Sequence, residues 1–215
     1  MLPQPIAARL KQETDVIAER HESVSVLFAD LVDFTEHAMA MPAEDLVALL
    51  DRIFTAFDHR AGTEHLEKIK TIGDAYMLAG GVPEARSGHA QAVARTALGM
   101  REDVASIASA TGQTWLALRI GIDTGPAVGG VIGRSKFSYD LWGDTVNTAS
   151  RMQAHALPGQ IHITARLAAA LGDGFVIRPR GRTTVKSKGV MDTFLLEAER
   201  HGVLGDTRAS QPWRG

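Results

Sequence analysis

The chain has 215 residues, of which 45% are hydrophobic and 22% charged, and its net charge is -2. That suffices for one cored domain and lacks the positive charge of a long nucleic-acid footprint; the absence of cysteine excludes disulfides and thiolate metal sites. No run reaches the ~18 apolar residues of a membrane helix, and the start M-L-P-Q-P-I-A-A-R-L-K has no apolar signal-peptide core. The expected location is cytoplasmic, or the cytoplasmic side of a membrane if the chain is a fragment of a longer protein.

Residues 5–20 read as a helix with Ile6, Leu10, Thr14 and Ile17 along one stripe; a surface-packed leader and a parallel dimer helix both fit so short a stripe. Residues 23–29, S-V-S-V-L-F-A, read as a strand ending on Asp30. Pro42 suits the first turn of a helix whose face carries Leu46, Leu49, Leu50, Ile53, Phe54 and Phe57. Residues 65–78 read as a hairpin with Gly73 and Asp74 at its tip. A second long helix spans 88–109, with Val93, Ala94, Ala97, Arg101, Val104 and Ile107 at helical intervals. A strand over 115–123 puts Leu116, Leu118, Ile120 and Ile122 on one face and Arg119 on the other. A short strand at 138–141 and a helix at 143–155 follow, with Asp144 as N-cap; then come a strand at 160–164, a helix at 166–171 and a hairpin within 176–196. Met and aromatic side chains read as core. The order predicts an α+β fold, a ferredoxin-like βαββαβ core with additional C-terminal strands and helix, its helices on one face of an antiparallel-rich sheet.

Asp30 and Asp74 each read alone as turn chemistry. If their strands are neighbours, both acids emerge at one end of the sheet and can share hard cations; without a cation they repel. The turn at residues 31–35 offers free N–H groups to phosphate. Asn147 and Arg151, at i and i+4, share a helix face, and Asp140 lies on the approach to that helix. Lys70 precedes Asp74 on the hairpin, and Lys68 shares its face two residues earlier as an exposed strand lysine. G-P-A-V-G-G-V-I-G, residues 125–133, lacks the Lys-Ser/Thr ending of a P-loop and reads as a glycine-rich turn or bulge. The eight histidines show no metal-ligand spacing.

The segments F-A-D-L-V-D-F-T, K-I-K-T-I-G-D-A-Y-M, R-I-G-I-D-T-G, Y-D-L-W-G-D-T-V-N-T-A-S-R-M and V-K-S-K-G, in this order, resemble the catalytic domain of class III nucleotidyl cyclases over residues 23–198. The leader is similar to the segment preceding this domain in bacterial, particularly mycobacterial, membrane-linked or multidomain members. The resemblance implies a helical leader over 1–22, a catalytic domain over 23–198 and a flexible tail over 199–215, with an upstream regulatory or membrane domain in a longer protein. It implies that Asp30 and Asp74, with the Leu31 carbonyl, bind two Mg²⁺ or Mn²⁺ ions. Lys70 and Asp140 would read adenine, Asn147 would orient the ribose, and Arg151 would stabilise charge on the α-phosphate. Arg119 and Lys186, or Lys188 in place of the latter, would hold the triphosphate, with Phe34 and Thr35 as further substrate contacts. It implies head-to-tail homodimers whose two sites take metal residues from one subunit and Lys70, Asp140, Asn147 and Arg151 from the other.

The activity implied is adenylyl cyclase, ATP to 3′,5′-cyclic AMP and pyrophosphate. Guanylyl cyclase is the alternative within the class, and a catalytically silent nucleotide-binding or dimerisation module the alternative outside it. Lys70 and Asp140 match adenine's acceptor and donor. The silent module predicts loss of one of Asp30, Asp74, Asn147 or Arg151, and all four are present. A diguanylate cyclase would carry a G-G-D-E-F-type turn where this hairpin reads I-G-D-A-Y.

Overall fold

The computed structural model describes residues 2–11, 17–133, 136–186 and 188–200. In chain order its elements are α1 (Gln4–Leu10), β1 (Ala18–Leu31), α2 (Phe34–Ala38), α3 (Ala43–Thr63), β2 (Glu67–Ile72), β3 (Ala75–Gly80) and α4 (His89–Thr111). There follow β4 (Leu118–Ile132), β5 (Ser138–Trp142), α5 (Asp144–His155), β6 (Ile161–Thr164), α6 (Ala165–Leu171), a 3-10 turn (Gly172–Gly174), β7 (Phe175–Val185) and β8 (Gly189–Glu199). One mixed sheet runs β2-β3-β1-β4-β6-β8-β7, with β5 paired to β4 off this path. Its first four positions are the expected ferredoxin-like core, and only the β4–β6 pair is parallel among these neighbours.

Helix α3 follows Pro42 and carries Glu44 and Asp45 in its first turn, where negative charge favours the helix dipole. Its buried stripe, Leu49, Ile53, Phe57 and Ala61, repeats every four residues and packs with Leu27, Leu78, Ile120 and Ile122 of the sheet. Burial of each such large side chain contributes about 1.5–3 kcal/mol. Helix α4 is bounded by Gly88 and Gly112, both left-handed at φ 73° and 70°, a conformation that spares glycine the Cβ clash of other residues.

The helices, expected on one face of the sheet, lie on both. α3, α4 and α6 cover one side, while α1 and α5 lie on the other, over a second cluster that includes Ile6, Val24, Val26, Met77, Tyr139, Leu141 and Ala149. Leu27 and Val26 thus serve different cores, because alternate strand residues face opposite ways.

The helix expected over 5–20 stops at Leu10, and Thr14 of its stripe lies outside the described residues. Ala18 to His21 pair instead with Gly130 to Ala127, and the Ile17 carbonyl accepts from Val131 N–H; long-range pairing outweighs the local helical pattern. Residues 125–133, expected to be a turn, are the second half of β4 up to Ile132. Their glycines allow close approach, since a Cβ on Gly130 would meet the Ile17 carbonyl oxygen and one on Gly129 the Tyr139 hydroxyl. The register of β1 against β4 shifts between His21 and Val24, a bulge that bends the pair, and the β1–β4–β5 arm reaches the second core through Tyr139 and Leu141. Met39, Phe137 and Trp142, expected in the core, are exposed. β8 runs through Glu199, the first residue of the expected tail, and 201–215 lie outside the described residues. Among the described residues no helix is long and apolar enough to cross a membrane.

Candidate active site

Asp30 is the penultimate residue of β1, paired in register with Ala75 on one side and Arg119 on the other. Asp74 occupies the β2–β3 turn, beside Gly73 at φ 63°. The sheet order therefore brings both acids to one end, where a pocket of about 330 Å³ is lined by Asp30, Leu31, Asp33, Phe34, Thr35, Glu36, Asp74 and Arg119. Val32 N–H bonds to the Ala117 carbonyl and anchors the turn that carries Phe34 and Thr35 into α2.

The Arg119 guanidinium donates to Asp30 Oδ2 at 2.6 Å, and Gln153 Nε2 donates to the same oxygen at 3.1 Å. The Asp74 carboxyl is pushed above the usual range, first by burial and further by the Asp30 charge, while Arg119 works against both. Arg119 also keeps a buried Nε without a hydrogen bond. It occupies the place of a positive charge between two acids that oppose one another.

A second group lies apart from this pocket. Lys70 of β2 donates to Asp140 of β5 at 2.5 Å, and Asp140 Oδ1 accepts from the Leu141 N–H. Their side chains are 37% and 14% exposed, so the ion pair is worth about 1 kcal/mol or less, which a ligand offering its own hydrogen bonds can replace. Lys68 does not share the Lys70 face. The register of β2 on β3 shifts between them, so Lys68 pairs with Leu78 and Lys70 with Met77, which face opposite cores. Lys68 turns to α3 and bonds Asp58 at 2.8 Å, and it is not a free strand lysine.

Asn147 and Arg151 lie on α5, both exposed and neither making a side-chain hydrogen bond among the described residues. Asp144 is the first helical residue and not the N-cap, which is Gly143. Its carboxyl is held below the usual range by Lys188 first, with help from Arg166. Lys186 is exposed, and neither lysine lines the acid pocket.

The family described as adenylate and guanylate cyclase catalytic domain matches residues 16–198. The chain is a class III cyclase domain. It is 45% identical to an adenylate cyclase of Mycobacterium tuberculosis over 214 residues, covering 99% of this chain and 48% of that protein, so it spans about half the length of that curated relative. Among solved structures, the guanylate cyclase domain of RhGC from Catenaria anguillulae in complex with GTP superposes with a TM-score of 0.81 at 35% identity, over 85% of this chain and 100% of that one. The adenylyl cyclase CyaB from P. aeruginosa gives 0.80 at 25% identity, over 85% and 97%.

Within this cyclase domain the acid pocket offers hard-oxygen donors, the carboxylates of Asp30, Asp74, Asp33 and Glu36 and the backbone at Leu31. Among the described residues no three His, Asp or Glu side chains cluster as a metal cage. Carboxylate and carbonyl donors suit cations that complete their shells with water and substrate phosphate, the usual habit of Mg²⁺. The fit is further carried by the raised Asp74 carboxyl and by the guanidinium lodged against Asp30.

Gln153 was not among the residues singled out from the sequence. The available signal is a polar residue four positions after the fully buried Ala149, on the side of the cyclase helix that faces the sheet. Asp123 was also missed. It is fully buried at the centre of β4, where Thr164 and Arg166 hydrogen-bond to it. It braces β6 and α6 against the sheet, and its motif, R-I-G-I-D-T-G, gave no hint of that partner.

Proposed function

We propose that this domain converts ATP to 3′,5′-cyclic AMP and pyrophosphate, in composite sites shared across a head-to-tail homodimer. The observation that carries the reading is the Lys70–Asp140 contact, an acceptor beside a donor brought together from strands 70 residues apart. Adenine presents an N6 donor to the carboxylate and an N1 acceptor to the ammonium. Guanine reverses both positions.

In the reaction the ribose 3′ oxygen bonds to the α-phosphorus, the bond from that phosphorus to the bridging oxygen of the leaving pyrophosphate breaks, and the hydroxyl proton departs. Two divalent cations, Mg²⁺ or Mn²⁺, would supply Lewis acidity for both the attacking and the leaving oxygen. Asp30, Asp74 and the Leu31 carbonyl are the groups that would hold them. Arg119 then exchanges its carboxylate partner for the triphosphate, with Lys186 or Lys188 and the Phe34–Thr35 turn as further contacts. Asn147 orients the ribose. Arg151 donates where charge gathers on the α-phosphate, and loss of such a donor typically costs about 3–4 kcal/mol of barrier.

Subunit sharing is supported by the exposure of Asn147 and Arg151 outside the acid pocket of their own chain. Val128 and Trp142, paired across β4 and β5, join Ile132 and Phe137 as exposed apolar side chains on the arm that carries Asp140. Apolar surface of this kind suits a second copy. The GTP complex of the Catenaria domain favours guanylyl cyclase as the second reading.

The test is cyclic product formed from ATP and from GTP with Mg²⁺ or Mn²⁺, by the wild type and by Lys70→Glu/Asp140→Cys. The wild type is expected to prefer ATP. The double variant should move the kcat/KM ratio towards GTP by at least about tenfold, the worth of one mispaired hydrogen bond. An unchanged ratio in a folded double variant removes the pair from base recognition.

A further inference from the structure

We propose that Gln153 is a positioning residue for the acid pair and that it ties helix α5 to Asp30 of its own chain; this rests on the reading of Asp30 as a cation ligand. Both donors to Asp30, Arg119 and Gln153, converge on Oδ2. Oδ1 makes no hydrogen bond among the described residues, so one oxygen is fixed by the protein and the other left for a ligand. An ionised carboxylate only accepts, which fixes the amide with Nε2 towards Asp30.

The two donors differ in what they do when a cation arrives. Arg119 is a charge that a cation at Asp30 repels. The Gln153 amide is neutral, so it keeps the carboxylate oriented while the guanidinium moves to phosphate. Outer-shell donors of this type commonly change metal affinity 10–100-fold, by figures of about that size.

The contact depends on how closely α5 lies on β4. Gly121 faces the helix, and a Cβ there would strike the Gln153 nitrogen and the Ala149 carbonyl oxygen. Gln153 and Arg151 are separated by two residues, roughly 200° around the helix. One side of α5 therefore holds the chain's own acid, while Asn147 and Arg151 project from the other. The helix is a rigid link between the cation site of its own subunit and the α-phosphate donor it lends to the partner.

The experiment uses the full chain and Gln153→Met, which keeps volume and loses the donor, with Gln153→Leu measured in the same way should the first variant misfold. Free Mn²⁺ is titrated by electron paramagnetic resonance in the presence of a non-cyclising ATP analogue, beside kcat, KM and the urea midpoint. Mn²⁺ affinity is expected to fall about tenfold, with kcat reduced and the KM for ATP little changed. A folded variant with wild-type Mn²⁺ affinity overturns the proposal, as does a lowered urea midpoint with no change in affinity, which marks a merely structural role. Wild-type protein that neither binds Mn²⁺ nor forms cyclic product overturns the cyclase reading itself, a result separable from failure at Gln153.

Discussion

At the scale of single residues, the acid pair of the pocket was legible because each member follows a strand or turn signal readable within a few positions. Buried polar residues elsewhere were not. His162 is fully buried, its Nδ1 3.0 Å from the Met152 carbonyl, with Arg180 Nη1 2.8 Å from Nδ1 and 3.2 Å from Nε2. A guanidinium so close to both ring nitrogens disfavours a second positive charge, so the ring is held neutral. Burial first, and the Arg180 charge second, push its pKa down to about 4. Between about 6.5 and that value the unfolded chain binds a proton that the folded chain refuses. Stability from this site is thus complete above pH ~6.5 and is lost as pH falls towards ~4, by on the order of 3 kcal/mol. Urea denaturation at about pH 7 and about pH 5 should show about 2 kcal/mol of that loss, and His162→Gln should flatten it. An unaltered slope in the variant would assign the acid sensitivity elsewhere.

At the scale of elements, hydrophobic periodicity identified the long helices and most strands, since α3, α4 and β1 each bury a continuous stripe. It failed where long-range contact overrides local preference. Residues 18–21 carry few apolar side chains and become strand only because β4 lies beside them. The glycines at 125, 129 and 130 look like turn residues, yet they serve as approach points within a strand. Gly121 is the strongest case, because the obstacles to a Cβ there are backbone atoms of α5 that no rotamer change can move. Gly121→Ala is therefore expected to lower stability by about 1–3 kcal/mol or more, through displacement of α5 from β4. The urea midpoint measures it, and a midpoint equal to wild type would mean that the helix gives way without cost.

At the scale of the whole molecule, the sequence showed that all the expected site residues were present; the fold shows that they are not gathered in one place within the chain. The acid pocket holds Asp30, Asp74 and Arg119, whereas Lys70 with Asp140, and Asn147 with Arg151, lie outside its lining. If sites are shared, Asp30→Ala and Arg151→Ala homodimers are each inactive. In a mixed dimer both lesions fall in one site and the other is intact. Free exchange makes about half the dimers mixed, so activity should recover to roughly a quarter of wild type. Activity after mixing, with exchange verified by tagged subunits, is the measurement. No recovery despite proven mixed dimers would favour sites built within one chain.

The bulge in β2 gives this architecture an uneven tolerance to change. Lys70 meets Asp140 because one extra residue after Lys68 reverses the side of the sheet that the strand presents. Drawn flat, with Ile69 opposite Met77, the strand would set Lys70 opposite Tyr76 and send the lysine towards α3. The position that meets Asp140 is thus open to exchange of its side chain and closed to a slip in the pairing of its strand. A slip of one residue in this hairpin is a lesion that keeps both partners in the chain and parts them.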